Sequence, residues 1–190
     1  LAVASTLPTV QAQEWPNKPV RVVTAFGAGS ASDILARMVA EDFQGHFKQS
    51  FVVDNKPGAS GIIAAENVAK SPADGYTLFL TTNTVHSANP YLFKKLPYDP
   101  IKDFTPITFV SYLPIIIVVP VNSSIKSVAE LITFAKANPG KLTYGSAGVG
   151  SSQHLAAVQF MGATKTDMMH VPYKGTAPAE ADLMAGHISV

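Results

Sequence analysis

The chain of 190 residues is 47% hydrophobic and 14% charged, enough apolar content for one ample core or two small lobes and too ordered a composition for a disordered chain. Its 14 Lys and Arg balance 13 Asp and Glu, Arg21 and Arg37 are the only arginines, and no basic run is interleaved with aromatics, so no nucleic-acid partner is expected. The lack of cysteine excludes disulfides, thiol nucleophiles and thiolate metal sites.

Leu1 to Ala12 reads as the end of a signal peptide, with Val10 and Ala12 at the two small-residue positions a signal peptidase requires and a polar start at Gln13-Glu14. An ordinary apolar tail is the plain alternative. The most apolar later run, Pro114 to Val121, is eight residues long, far short of the roughly 20 a membrane-crossing helix needs.

From Pro19 onward, β-branched runs alternate with segments of helical period, the pattern of parallel βαβ units. Strands are expected at Val20–Phe26, Phe51–Asp54 and Tyr76–Thr81, with helices at Ser30–Phe47 and Ile62–Lys70. Prolines at 90, 97, 100 and 106, with aromatics among them, mark Pro90–Pro106 as an irregular surface segment joining two lobes. The pattern resumes with a strand at Ile115–Val119 and a helix at Ser127–Asn138, where Ser127 and Glu130 form a capping box and Pro139-Gly140 a stop. Strands at Leu142–Gly145, Met168–Val171 and Ile188–Val190 enclose helices at Ser151–Met161 and Thr176–Ala185. The division expected is a tail over 1–13, a first α/β lobe over 14–104 and a second, incomplete one over 105–190, the last strand reading as a freshly begun one.

An internal echo carries the functional signal. Gly27-Ala-Gly-Ser-Ala-Ser-Asp-Ile-Leu-Ala36 and Gly148-Val-Gly-Ser-Ser-Gln-His-Leu-Ala-Ala157 share one pattern at an offset of 121 positions (148 minus 27). Each follows a strand and opens a helix, where glycine lets the backbone approach a ligand and the helix end offers free N–H groups to an anion. Either loop alone is equally well a structural cap. Thr81–His86 and Val171–Thr176 lie at the carboxyl ends of strands, the edge at which open α/β sheets bind ligands.

The rival reading is a nucleotide-binding enzyme that uses the 27–32 loop, with Asp54 as the ribose acid, but Ser32 stands where the third glycine of the fingerprint belongs. Tyr144-Gly-Ser-Ala-Gly148 misses the serine-hydrolase elbow by its first glycine. His46, His86, His154, His170 and His187 show no spacing that marks a triad or a zinc site. No catalytic residue, metal or cofactor is expected.

Six motifs in order resemble the Bug family, the solute-binding proteins of tripartite tricarboxylate transporters. They are Trp15-Pro-x-Lys-Pro-Val-Arg21, Asp54-Asn-x-Pro-Gly-Ala59, Pro72-Ala-Asp-Gly-Tyr-Thr-Leu78, Leu96-Pro-Tyr-Asp-Pro100 with Lys102-Asp-Phe104, Ala137-Asn-Pro-Gly-Lys-Leu142 and His170-Val-Pro-Tyr-Lys-Gly175. The resemblance implies a longer, two-lobed, clamshell-like monomer in the periplasm of a Gram-negative bacterium, which captures an organic acid and delivers it to membrane transporter subunits. It implies that a carboxylate is held by Phe26, Gly27, Ser30, Ala31 and Asp33 of the first loop and Ser146, Gly148, Ser151 and Ser152 of the second. Thr82 and His86 would line the pocket, with Tyr173, Lys174 and Thr176 opposite. Asp33 reads as a holder of the helix start rather than an anion contact. The chain departs from the family's first loop, Pro-Phe-x-Pro-Gly-Gly, by having Ala25-Phe-Gly-Ala-Gly-Ser30, which leaves the ligand preference open.

Overall fold

The structure, a computed structural model, describes residues 14–190. The signal-peptide remnant expected at 1–13 lies outside the described residues.

Strand β1 (Val20–Thr24) is the centre of a parallel three-stranded sheet, flanked by β2 (Phe51–Asn55) and β3 (Thr77–Leu80) in the order β2-β1-β3. Alternation along β1 assigns its two faces. Val20 and Val22 pack with Ala36 and Ala40 of helix α1 (Ala31–Phe47), whereas Val23 and Ala25 pack with Ala64 of helix α2 (Ile62–Ala69). With a helix on each face, Val20 and Val23 are fully buried, each contributing about 1.5–3 kcal/mol.

The second lobe is built on a parallel pair, β4 (Thr143–Ser146) and β5 (Met169–Pro172). Its core joins Leu131 and Ala135 of helix α4 (Val128–Ala137) to Leu142, Tyr144 and Met168, with Phe160 and Met161 of helix α5 (Ser152–Thr164) against them. Helix α6 (Thr176–Met184) follows β5. Ser127 caps α4 as expected, accepting from Glu130 N–H at 3.2 Å, but the Glu130 carboxylate takes the amide of Lys126 at 2.6 Å in place of the cap residue's own.

Two expectations fail. Ile115–Val119 forms no strand, because nothing among the described residues offers it a ladder partner, and its Ile116 stays 73% exposed. Ile188–Val190 lies beside β4, with Gly145 N–H donating to Val190 O at 2.9 Å, yet without a full ladder. Pro90–Pro106 is largely irregular and exposed as expected, except at its start and at Tyr98. A π-helical turn at Thr84–Ala88 runs into a short helix α3 (Asn89–Leu92), and the Tyr98 hydroxyl is buried, donating to Val85 O at 2.8 Å.

Candidate functional site

The carboxyl ends of both parallel sheets turn toward each other, and the echo seen in the sequence is an echo in geometry. In the first loop Ser30 N–H donates to Gly27 O at 3.2 Å, and Ser30 Oγ caps α1 by accepting from Asp33 N–H at 3.3 Å. In the second, Ser151 N–H donates to Gly148 O at 3.1 Å, and Ser151 Oγ caps α5 by accepting from His154 N–H at 3.3 Å. The match extends to the middle glycines. Gly29 and Gly150 both have φ of +79°, which glycine adopts freely, and each donates its N–H to the side chain four residues on. Gly29 gives to Asp33 Oδ2 at 2.9 Å, and Gly150 to His154 Nδ1 at 3.1 Å.

These bonds leave the first two amides of each helix, at Ala31 and Ser32 and at Ser152 and Gln153, without intrahelical acceptors. Asp33 is buried and also accepts from Arg37 Nε at 3.1 Å and Asn55 Nδ2 at 2.8 Å. Burial opposes its ionisation, but the bonds from Arg37, Gly29 and Asn55 outweigh this and hold its carboxyl below the usual range. With its oxygens so occupied, Asp33 is a brace for the loop. Asn55 Nδ2 also donates to Phe26 O at 3.0 Å, so the strand end and the helix start are tied by one amide.

Between the loops lies a cleft of about 360 Å³, and of the expected residues Phe26, Gly148, Tyr173 and Lys174 line it. Gly27 sits at its rim, where a Cβ would stand 3.0 Å from Lys174 O, tight enough that a larger residue would push the two lobes apart by a few tenths of an ångström. Ser30 and Thr176 flank the same contact through Gly175, and Ala31, one residue along, is exposed. Ser146 is buried beneath the second loop, where its hydroxyl binds both the amide and the carbonyl of Gly148 at 3.1 Å. Ser152 reaches the opposite lobe, donating to Asn83 Oδ1 at 2.9 Å. Thr82 has a buried hydroxyl with no partner among the described residues. The Tyr173 hydroxyl is turned to Asp182 at 2.6 Å, a bond that raises its pKa, while Lys174 Nζ makes no ion pair among the described residues.

His86 is not brought to the cleft. Its Nδ1 lies 2.9 Å from Pro100 O and its ring packs on Phe79 and Phe104. Asp54, the ribose acid of the nucleotide reading, is engaged by Arg21 at 3.3 Å and Lys56 at 3.2 Å. Among the described residues there is no cluster of metal-ligating side chains. No helix there is long and apolar enough to cross a membrane.

Sequence reasoning missed one wall of the cleft. Gly58, Ala59, Ser60 and Gly61 line it, in a turn where Ala59 and Ser60 adopt positive φ of 46° and 55°. Ser60 Oγ bonds to Val149 O in the opposite lobe, and Asn89 Nδ2 donates to Ser60 O at 3.1 Å. The signal was the glycine-flanked run Pro57-Gly-Ala-Ser-Gly61, which served only as part of a family motif.

The family described as tripartite tricarboxylate transporter family receptor matches residues 35–190. Protein BugT of Bordetella pertussis is 33% identical over 190 residues, all of this chain and 58% of that protein. Among solved structures, R. palustris Rpa4515 with adipate is 40% identical with a TM-score of 0.90, covering 93% of this chain and 59% of its own. MatC (Rpa3494) from Rhodopseudomonas palustris with bound malate is 30% identical with a TM-score of 0.85, covering 92% and 60%. The chain thus spans under two thirds of the length of the relatives it matches. On the match over residues 35–190, the chain belongs to the tripartite tricarboxylate transporter receptor family, a family of Bug-type binding proteins and not of enzymes.

Proposed function

We propose that the protein is a periplasmic receptor that captures a small organic carboxylate between its two strand–helix loops and delivers it to the membrane subunits of a tripartite transporter. It does so as a monomer with lobes over 14–104 and 105–190. The observation that carries this reading is the pair of like-built loops facing one cleft, each with two helix-end amides free of intrahelical acceptors. Such amides suit a carboxylate: they add the partial positive charge of a helix end and need no arginine, in keeping with a chain whose two arginines are engaged elsewhere. The cleft volume of about 360 Å³ suits a compact ligand. The adipate and malate of the two solved relatives support a short dicarboxylate.

Phe26, Gly27, Ser30 and Ala31 form one side of this cradle and Gly148, Ser151 and Ser152 the other. Tyr173, Lys174 and Thr176 close it, and Lys174 is the side chain with charge to meet a second carboxylate. Four charge-assisted bonds of about 1.5–3 kcal/mol each leave micromolar affinity after the costs of ordering. Calorimetry of the full-length protein against mono-, di- and tricarboxylates tests the reading. Saturable binding of a dicarboxylate is expected; silence to every carboxylate, with NAD bound instead, would overturn it.

A further inference from the structure

We propose that His154 and His170 are positioning residues that hold the second ligand loop in its binding shape, His154 being the imidazole counterpart of Asp33. The inference rests on the carboxylate reading for its functional consequence, but its geometry stands apart from it.

Because Gly150 N–H donates to His154 Nδ1 at 3.1 Å, that nitrogen carries no proton and the ring is the neutral Nε2–H tautomer. His170 stacks on it, with centroids 4.2 Å apart and planes inclined by 21°. His170 Nε2 in turn lies 2.6 Å from Ser146 Oγ, which accepts from Gly148 N–H at 3.1 Å and lies 3.1 Å from Gly148 O. All these bonds are satisfied together when His170 donates to Ser146 and the serine proton goes to Gly148 O. The two rings thereby hold the amides of Gly148 and Gly150, on either side of Val149 in the wall of the cleft.

The counterparts differ in one chemical respect. In the first lobe the loop glycine's acceptor is a carboxylate, which stays ionised at neutral pH; in the second it is an imidazole, which gains a proton in mild acid. A proton on His154 Nδ1 turns the acceptor into a donor that faces Gly150 N–H. Tyr144, stacked on His170 at 4.9 Å, is the other titratable group against the pair, and neither imidazole has an ion-pair partner among the described residues. Burial lowers the pKa of both histidines, and the charge of His154 lowers that of His170 further. The loop is therefore at full strength above the ordinary histidine pKa and loosens as pH falls through the lowered one.

The test is a pH titration of the full-length protein by NMR from about pH 8 to about pH 4, without ligand, paired with adipate calorimetry of the wild type and His154→Asn. The Gly150 amide shift is expected to follow the His154 ring. Wild-type adipate affinity should fall about tenfold more across the titration than that of His154→Asn, whose amide oxygen accepts at the Nδ1 position without titrating. The variant serves as the reference for protonation of adipate itself. A Gly150 amide that stays flat while the ring titrates overturns the positioning role, as does an equal loss of affinity in the variant. Absence of adipate binding at every pH with a Gly150 amide that still tracks the ring rules out adipate as the ligand and upholds the positioning role, and the carboxylate reading itself falls only if the whole panel of acids is silent.

Discussion

Ser152 Oγ donates to Asn83 Oδ1 at 2.9 Å, joining the first residue of α5 to the segment that follows β3 in the other lobe. Thr84 Oγ1 lies 3.4 Å from the same hydroxyl, and the Ser60–Val149 bond crosses the interface nearby. Both lobes supply loops to the cleft and residues to these cross-lobe bonds, so on the proposed reading the state that encloses a carboxylate is the state in which the bonds exist.

Ser152→Ala should weaken the enclosed state while sparing each lobe. One cross-lobe hydrogen bond is worth about 0.5–1.5 kcal/mol, so the dissociation constant for a dicarboxylate should rise about 2- to 13-fold with little change in melting temperature. Small-angle scattering with and without ligand reads the closure directly. An unchanged affinity would mean that the latch adds nothing.

Gly27 and Gly29 should separate function from fold. A Cβ on Gly27 meets the backbone carbonyl of Lys174 at 3.0 Å, across the lobe boundary, whereas on Gly29 it meets only Ala177 Cβ at 3.6 Å but must adopt φ of +79°. Gly27→Ala should therefore impair ligand binding with near-normal stability. Gly29→Ala should lower stability by about 1 kcal/mol through left-handed strain, and calorimetry together with thermal melts should resolve the two.

Much of this was legible in the chain because the signals are local. The β-branched run over Val20–Thr24 and the caps at Ser30, Ser127 and Ser151 depend on neighbours a few residues away, and these elements stand where those patterns put them. The failures are non-local. Ile115–Val119 has the composition of a strand, but a strand exists only with a partner, and composition does not supply one. His86 follows a strand end as a ligand residue should, yet Phe79 and Phe104 take its ring. His154 and His170 show no spacing in the sequence that marks a triad or a zinc site, and only the packing of α5 on the second sheet stacks them.

Asp33→Asn should destabilise the first lobe. The carboxylate accepts from three donors, Gly29 N–H, Arg37 Nε and Asn55 Nδ2, and an amide at this buried position presents its own N–H₂ to at least one of them. An unsatisfied buried donor costs about 1–3 kcal/mol. The sign of the pH dependence follows from the lowered pKa: the contribution is present above the ordinary carboxylate pKa of 3.8 and is lost as pH falls through the folded value. Denaturant melts should show wild type and variant converging in acid, and a gap that stays constant with pH would refute the assignment.

Ala31→Pro isolates the first-loop amide. Ala31 is the first residue of α1, where proline is well tolerated because this N–H has no intrahelical acceptor. The residue before it, Ser30, has φ of −69° and ψ of 158°, the extended conformation that a following proline requires, and the Ala31 side chain is exposed, so nothing buried is displaced. The fold should therefore keep its stability or gain about 0.4–1 kcal/mol from a less flexible unfolded chain. If the amide meets the carboxylate, its loss removes one charge-assisted bond, about 1.5–3 kcal/mol, and raises the dissociation constant at least tenfold. Ser152→Pro, measured against Ser152→Ala to subtract the hydroxyl, asks the same of the second loop. Loss of affinity in both variants with intact melting curves is the expected result, because a cradle made of two helix ends needs both. Loss in one alone would assign the carboxylate to a single lobe and leave the other loop a cap.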